Sequence, residues 1–342
     1  MLIFLQMSVR PENLSLAPPF ELEKPNGKPG KLDLVKDPET GLSLGTYSVD
    51  RRSAGSNNLV IVYQPWSDYV ERPFAQQRMD IMAAALDANL IGVNNLGVGI
   101  GTSNIPPKMR KAIMQGDFSA VSELQWRAIQ QTELYNEDDS KTAAYYSLAT
   151  NMAMSAAANA PEGTKLDRMI LWDCAAIEPK SYENDRFKGK LIGPRRFGSL
   201  ALTYFGHGAD GWEDYLAENA EYDWIEKPSS IGKLIKRIAV QPGGHFYYPY
   251  GMAQKTAAYD MAMAHEKKIF SEGTIVHVIN GSESKVSPTA LNDRFAEQMA
   301  DFELPELEIV RTVLMGETHA IQDSFRRTDA VFRHLARTAR RG

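Results

Sequence analysis

Residues 141–161, KTAAYYSLATNMAMSAAANAP, decide how the rest of the chain is read. The pattern predicts a short strand from Thr142 to Tyr146, a sharp turn at Ser147, and a helix from Leu148 to about Ala160. Small and aromatic residues fill the strand half. Ala and Met, both good helix formers, fill the helix half, and Pro161 closes it. A serine on such a turn is held out of the sheet, its hydroxyl exposed, with the next amide facing the space before that hydroxyl. This is the geometry of a nucleophile elbow. The same serine could instead serve as the N-cap of an Ala-rich helix.

The surrounding chain bounds the choice. Its 342 residues allow two ordinary domains, or one large α/β domain carrying an insertion. Apolar content of 43% and charged content of 24% are those of a globular protein. A net charge of −5 leaves no electrostatic footprint for nucleic acid or an anionic membrane. The single cysteine, Cys174, excludes an internal disulfide and a multi-cysteine metal site, and it suits a reducing, cytoplasmic setting. No apolar run approaches the roughly 18 residues of a membrane helix. The start, MLIFLQM, lacks the basic leader and long apolar region of a signal peptide.

Outward from the elbow, strands and helices alternate. Residues 8–30 read as an irregular arm. KLDLVKDPETGLSLGTYSV, from Lys31 to Val49, reads as a hairpin. Asn58–Trp66 is a buried strand, and the segment 71–89 is an amphipathic helix. NLIGV is the next strand. Gly97-Val98-Gly99-Ile100-Gly101 follows it but opens no helix and carries no Gly-Lys-Ser/Thr, so a nucleotide site is disfavoured and no cofactor is expected. Lys108 to about Asn136 reads as one helix, and Arg168–Trp172 as a strand ending at Asp173. From 177 to about 255 the chain turns helical, with aromatic loops, and Ala253–Ser271 reads as a helix returning to the core. Strands resume after Gly273, around helix 289–302, and an Arg-rich helix, Arg326–Arg341, closes the chain. Such a helix is usually a solvated face; a protein partner docking there is the alternative. The organisation expected is therefore a core of 1–176 and 273–342, interrupted by a mostly helical insertion of 177–272.

Tyr145-Tyr146-Ser147-Leu148-Ala149 and the helix after it resemble the elbow of the α/β-hydrolases, whose turn is Gly-x-Ser-x-Gly. Tyr145 stands at the first glycine and Ala149 at the second. The resemblance extends from the hairpin near residue 32 to the last helix. It implies an α/β fold with a mainly parallel central sheet, helices on both faces and 177–272 as a cap.

Ligand sites in such a sheet lie beyond the carboxyl ends of the strands. Ser147 follows one strand, Ser282-Glu283-Ser284 another, and His319 the last, which is the family order of nucleophile, acid and base. A serine hydroxyl needs a base, and imidazole, with an ordinary pKa of about 6.5, suits that task. His277 lies inside a strand, His245 in a cap loop, and His207, His265 and His334 at apparent surface positions. The family aspartate would fall on Ser284, so Glu283 is the first choice of acid and Asp173, at the end of the strand after the elbow helix, the second. The oxyanion amides would be those of Leu148 and Trp66, since Pro65 has none. Tyr146, His245 and Tyr247 would line an apolar pocket for a small apolar or aromatic acyl substrate. The reading is a serine esterase without metal or cofactor; its rival is the same fold kept as a non-catalytic binding module.

Overall fold

The structure is a computed structural model that describes residues 9–16, 30–51, 57–65, 68–147, 149–174, 198, 201–203, 206–219, 246–252, 257–301 and 307–339. In it the stretch that follows Ser140 is the buried centre of a nine-stranded sheet. The strands are β1 (Arg10–Leu14), β2 (Lys31–Lys36), β3 (Ser43–Val49), β4 (Asn58–Tyr63), β5 (Asn89–Val93), β6 (Ser140–Tyr146), β7 (Leu166–Trp172), β8 (Phe270–Gly281) and β9 (Leu307–Leu314). Their order across the sheet is β1-β9-β8-β7-β6-β4-β5-β3-β2. Every pairing is parallel except β2 with β3 and β3 with β5. β8 pairs with β7, and β9 with β8, in this one sheet, so the chain returns to it after the insertion.

The helices are α1 (Pro73–Leu86), α2 (Pro107–Met114), α3 (Ser119–Gln130), α4 (Ala149–Ala158), α5 (Trp212–Ala217), α6 (Tyr248–Met252), α7 (Ala257–Glu266), α8 (Thr289–Asp301) and α9 (Phe325–Ala339). Two apolar cores, one on each face, follow from strand alternation. Ala143 and Tyr145 of β6 face the core built with α3, α4 and α8; Ala144 and Tyr146 face the core built with α1 and α9. Every residue of α4 is buried, which its alanines permit because they let α3, α7 and the sheet approach closely.

Four expectations are corrected. The arm contains an edge strand, β1, parallel to β9; Pro11 is tolerated there because an edge leaves room for a residue with no N–H to give. The single helix expected over 108–136 is two, α2 and α3, divided where Gly116 turns left-handed at φ 81°. The helix expected to run on to Ser271 stops after Glu266. Lys268 is left-handed (φ 53°), and the amides of Lys268 and Ile269 return to the carbonyls of His265 and Ala264, a Schellman closure. β8 therefore starts at Phe270 rather than after Gly273. Of the 177–272 segment, only the described residues 198, 201–203, 206–219, 246–252 and 257–272 carry structural statements. Residues 220–245 of the stretch expected to turn helical lie outside them.

Candidate active site

Three strand exits converge. β6 ends at Ser147, whose amide donates to the Trp172 carbonyl of β7 at 2.9 Å. The backbone there is left-handed, φ 54°, a conformation that costs a non-glycine residue on the order of 1–3 kcal/mol. β7 ends at Asp173, also left-handed at φ 50°, a region aspartate tolerates better than most side chains. β9 leads to a 3₁₀ turn, His319–Asp323, that presents the imidazole.

Ser147 Oγ lies 3.1 Å from His319 Nε2, and His319 Nδ1 contacts Asp173 Oδ2 directly. With Nδ1 protonated and donating to the carboxylate, Nε2 is left to accept the serine proton. The second carboxylate of the reading, Glu283, is not at the imidazole: its side chain is exposed, and its amide donates to the Glu317 carbonyl at 2.9 Å. Asp173 takes the place beside the ring because β7 adjoins β6, which brings its exit next to the elbow.

The loop after β8 supplies donors to that carboxylate instead of an acid. Ser284 Oγ donates to Asp173 Oδ2 at 3.0 Å, and the Gly281 amide reaches Oδ1 at 3.3 Å. Ser284 in turn accepts the Ser287 amide at 3.1 Å, and Ser287 Oγ donates to the Cys174 carbonyl at 2.7 Å. Asp173 is fully buried, and these neutral donors satisfy oxygens that burial takes away from water. Ser284 was the place where the resemblance puts an aspartate, which was the available signal for its role.

Tyr146 does not line an open pocket. Its hydroxyl donates to the His319 carbonyl, and its ring packs at 5.3 Å from the imidazole and edge-on to Trp172 at 5.6 Å. It is a support beneath the histidine. Tyr247 packs elsewhere, under the Arg110 guanidinium on the α2 side, 5.1 Å from ring centre to Cζ. Leu148, Trp66 and His245 lie outside the described residues. The other histidines separate by environment: His277 is buried in β8, His207 meets Asp210 at 3.0 Å, and His334 meets Glu12 at 3.0 Å. Cys174, next to Asp173, is a poor nucleophile, since burial pushes its thiol up to about 12.

Ser147 and His319 are 2% and 3% exposed, so both side chains are covered rather than open as the elbow geometry suggested. A cavity of about 920 Å³ is lined by Ser284, Thr318, Tyr215 and Arg327 among others; Ser147 and His319 are not among the described residues that line it. Among the described residues no group of His, Cys, Asp and Glu is placed to hold a metal ion. Nor is any described helix long and apolar enough to cross a membrane. Arg327 and Arg333 of the arginine-rich helix form ion pairs within the chain, to Glu218 and Asp329.

No family model matches the chain, and no curated protein does. Among solved structures it is similar to an esterase from Pyrococcus furiosus, with a TM-score of 0.54 at 11% identity, over 95% of this chain and 96% of that one. It is also similar to a highly thermostable carboxyl esterase from Bacillus coagulans, with a TM-score of 0.52 at 13% identity, over 92% of this chain and 98% of that one. At such identities the likeness concerns architecture. Joined to the strand order, the helices on both faces and the left-handed serine between β6 and α4, it makes this chain a protein of the α/β-hydrolase fold.

Proposed function

We propose that the protein is a serine hydrolase that cleaves a carboxylic ester, or a similar acyl compound, through an acyl-enzyme. The observation that carries this reading is the unbroken contact chain Ser147–His319–Asp173 on a left-handed elbow. In the first half-reaction Ser147 Oγ attacks the acyl carbon while its proton passes to His319 Nε2. Asp173 holds Nδ1–H and stabilises the imidazolium that forms. The proton then leaves from Nε2 to the departing alkoxide, giving the alcohol. In the second half-reaction water attacks the acyl-enzyme with the same histidine as base, and Ser147 is regenerated. The amides of Leu148 and Trp66 are the proposed oxyanion donors, and a small apolar or aromatic acyl group is the proposed substrate. The low exposure of Ser147 supports assigning residues 177–272 as a cap over a core formed by 1–176 and 273–342.

The same low exposure favours the second reading, a non-catalytic module on this fold. Labelling the folded protein with a fluorophosphonate, beside a Ser147→Ala control, separates them. Labelling at Ser147 together with hydrolysis of p-nitrophenyl butyrate is the expected result. A folded protein that neither labels nor hydrolyses short or medium esters selects the non-catalytic reading.

A further inference from the structure

His319 sits on a short 3₁₀ turn, and one small piece of the inserted segment grips that turn at both ends. At its start, the Thr318 amide donates to Tyr215 Oη at 3.0 Å and Thr318 Oγ1 donates to the Asp210 carbonyl at 2.5 Å. Past its end, the Phe325 amide donates to Asn219 Oδ1 at 2.9 Å, and Asn219 Nδ2 donates to the Asp323 carbonyl at 2.6 Å. Ser324 Oγ donates to Glu218 Oε2 at 2.5 Å. Tyr215, Glu218 and Asn219 all lie on α5 or the turn that follows it.

The grip is anchored by buried charge. Glu317, two residues before the histidine, is 3% exposed and accepts the Tyr215 hydroxyl at 2.9 Å. Its other oxygen meets Arg327 Nη1, and the same guanidinium pairs with Glu218 and stacks 5.0 Å over the Tyr215 ring. Tyr215 Oη is thus the shared atom: it gives a proton to Glu317 and takes one from the Thr318 amide. A buried carboxylate paired in this way is costly to disturb, so the arrangement has one preferred geometry.

We propose that Tyr215, seated by Glu317 and Arg327, is the positioning residue that sets the height of His319 over Ser147. Tyr146 and Asp173 hold the histidine on one side; next to it in the chain, Thr318 is held by Tyr215 of α5 and by the Asp210 carbonyl just before that helix. Because proton transfer depends on sub-ångström placement, this makes the inserted segment a working part of the relay as well as its cover. The inference rests on the serine-hydrolase reading.

The test is Tyr215→Phe, which removes the one oxygen and keeps the ring. Loss of a hydrogen-bonded anchor to a charged group is expected to lower kcat by about 10-fold on p-nitrophenyl butyrate, with KM changed by less than about twofold. The downfield proton signal of His319 Nδ1–H, read by NMR, is expected to broaden although neither His319 nor Asp173 is altered. Thr318→Val, an isosteric change that breaks the bond to the Asp210 carbonyl, is expected to act in the same direction and serves if Tyr215→Phe does not fold. Wild-type kcat and an unchanged signal in a folded variant overturn the proposal. If the wild-type protein labels at Ser147 and the variants match it in kcat, only the positioning role fails; if the wild type does not label, the hydrolase reading fails.

Discussion

Tyr145 occupies the position where a glycine would relieve crowding before the elbow, and strand alternation resolves the conflict. Its ring goes to one face and stacks on Tyr63 at 4.9 Å, while Tyr146 goes to the opposite face beneath His319. Restoring the family glycine is therefore expected to harm this protein. Tyr145→Gly should lose about 3–5 kcal/mol, the cost of emptying a buried aromatic site, while Tyr145→Phe should stay within about 1 kcal/mol. Urea unfolding reads both, and a Tyr145→Gly protein as stable as wild type would show that the stack contributes nothing. The acid is tested at the same scale. Asp173→Asn should lower kcat by about 10³–10⁴, because the amide no longer favours the working tautomer. Glu283→Gln should stay within about twofold, as an exposed side chain outside the relay. The reverse ranking would return the acid to the loop after β8. That Ser147 and His319 would meet was legible because an apolar strand run precedes each. Which carboxylate would lie at the imidazole was not legible, because two strand exits both carry one and only the sheet order brings Asp173 there.

Elements meet closely where the loops after β8 and β9 cross. A Cβ at Gly281 would stand 2.1 Å from the Glu317 carbonyl oxygen, which is backbone and has little room to give. That crossing joins the loop that donates to Asp173 with the loop that carries His319. Gly281→Ala is therefore expected to destabilise by about 1–3 kcal/mol, as overpacking does, and to lower kcat by more than the folded fraction explains. Parallel melting curves and kinetics check it; a normal kcat in the folded variant would mean the two loops move independently. The boundaries missed from sequence have the same local character. Gly116 divides α2 from α3, and Lys268 closes α7, because a left-handed residue ends a helix whatever the apolar periodicity on either side. β1 was unreadable for a different reason: RPENL has no strand pattern of its own and pairs only because β9 offers an open edge.

At the scale of the whole molecule, one feature that couples folding to pH is His277. It lies in β8 between β7 and β9, 1% exposed, and among the described residues its two ring nitrogens have no hydrogen-bond partner. Burial foremost, then the positive charges of Arg168 and Arg10 and the neighbouring His334, push its imidazole down to about 3. The unfolded chain would bind this proton near the ordinary value of about 6.5. Between these two values the unfolded state takes up a proton that the folded state refuses. The stability tied to a neutral His277 is thus fully present above about pH 6.5 and is lost as pH falls towards 3. The loss is about 1.4 kcal/mol per pH unit, or roughly 2–3 kcal/mol by pH 4.5. Asp80, pushed up to about 6 by burial, works with the opposite sign, since its folded form holds a proton more firmly in acid. The total pH profile mixes such contributions, so the comparison belongs between wild type and His277→Leu, which keeps an apolar side chain in the sheet and cannot titrate. Urea unfolding at pH 7.5 and 4.5 should show the wild type losing about 2–3 kcal/mol more than the variant over that interval. Equal losses in the two proteins would mean that His277 is protonated in the fold and that the core between β8 and α9 admits charge.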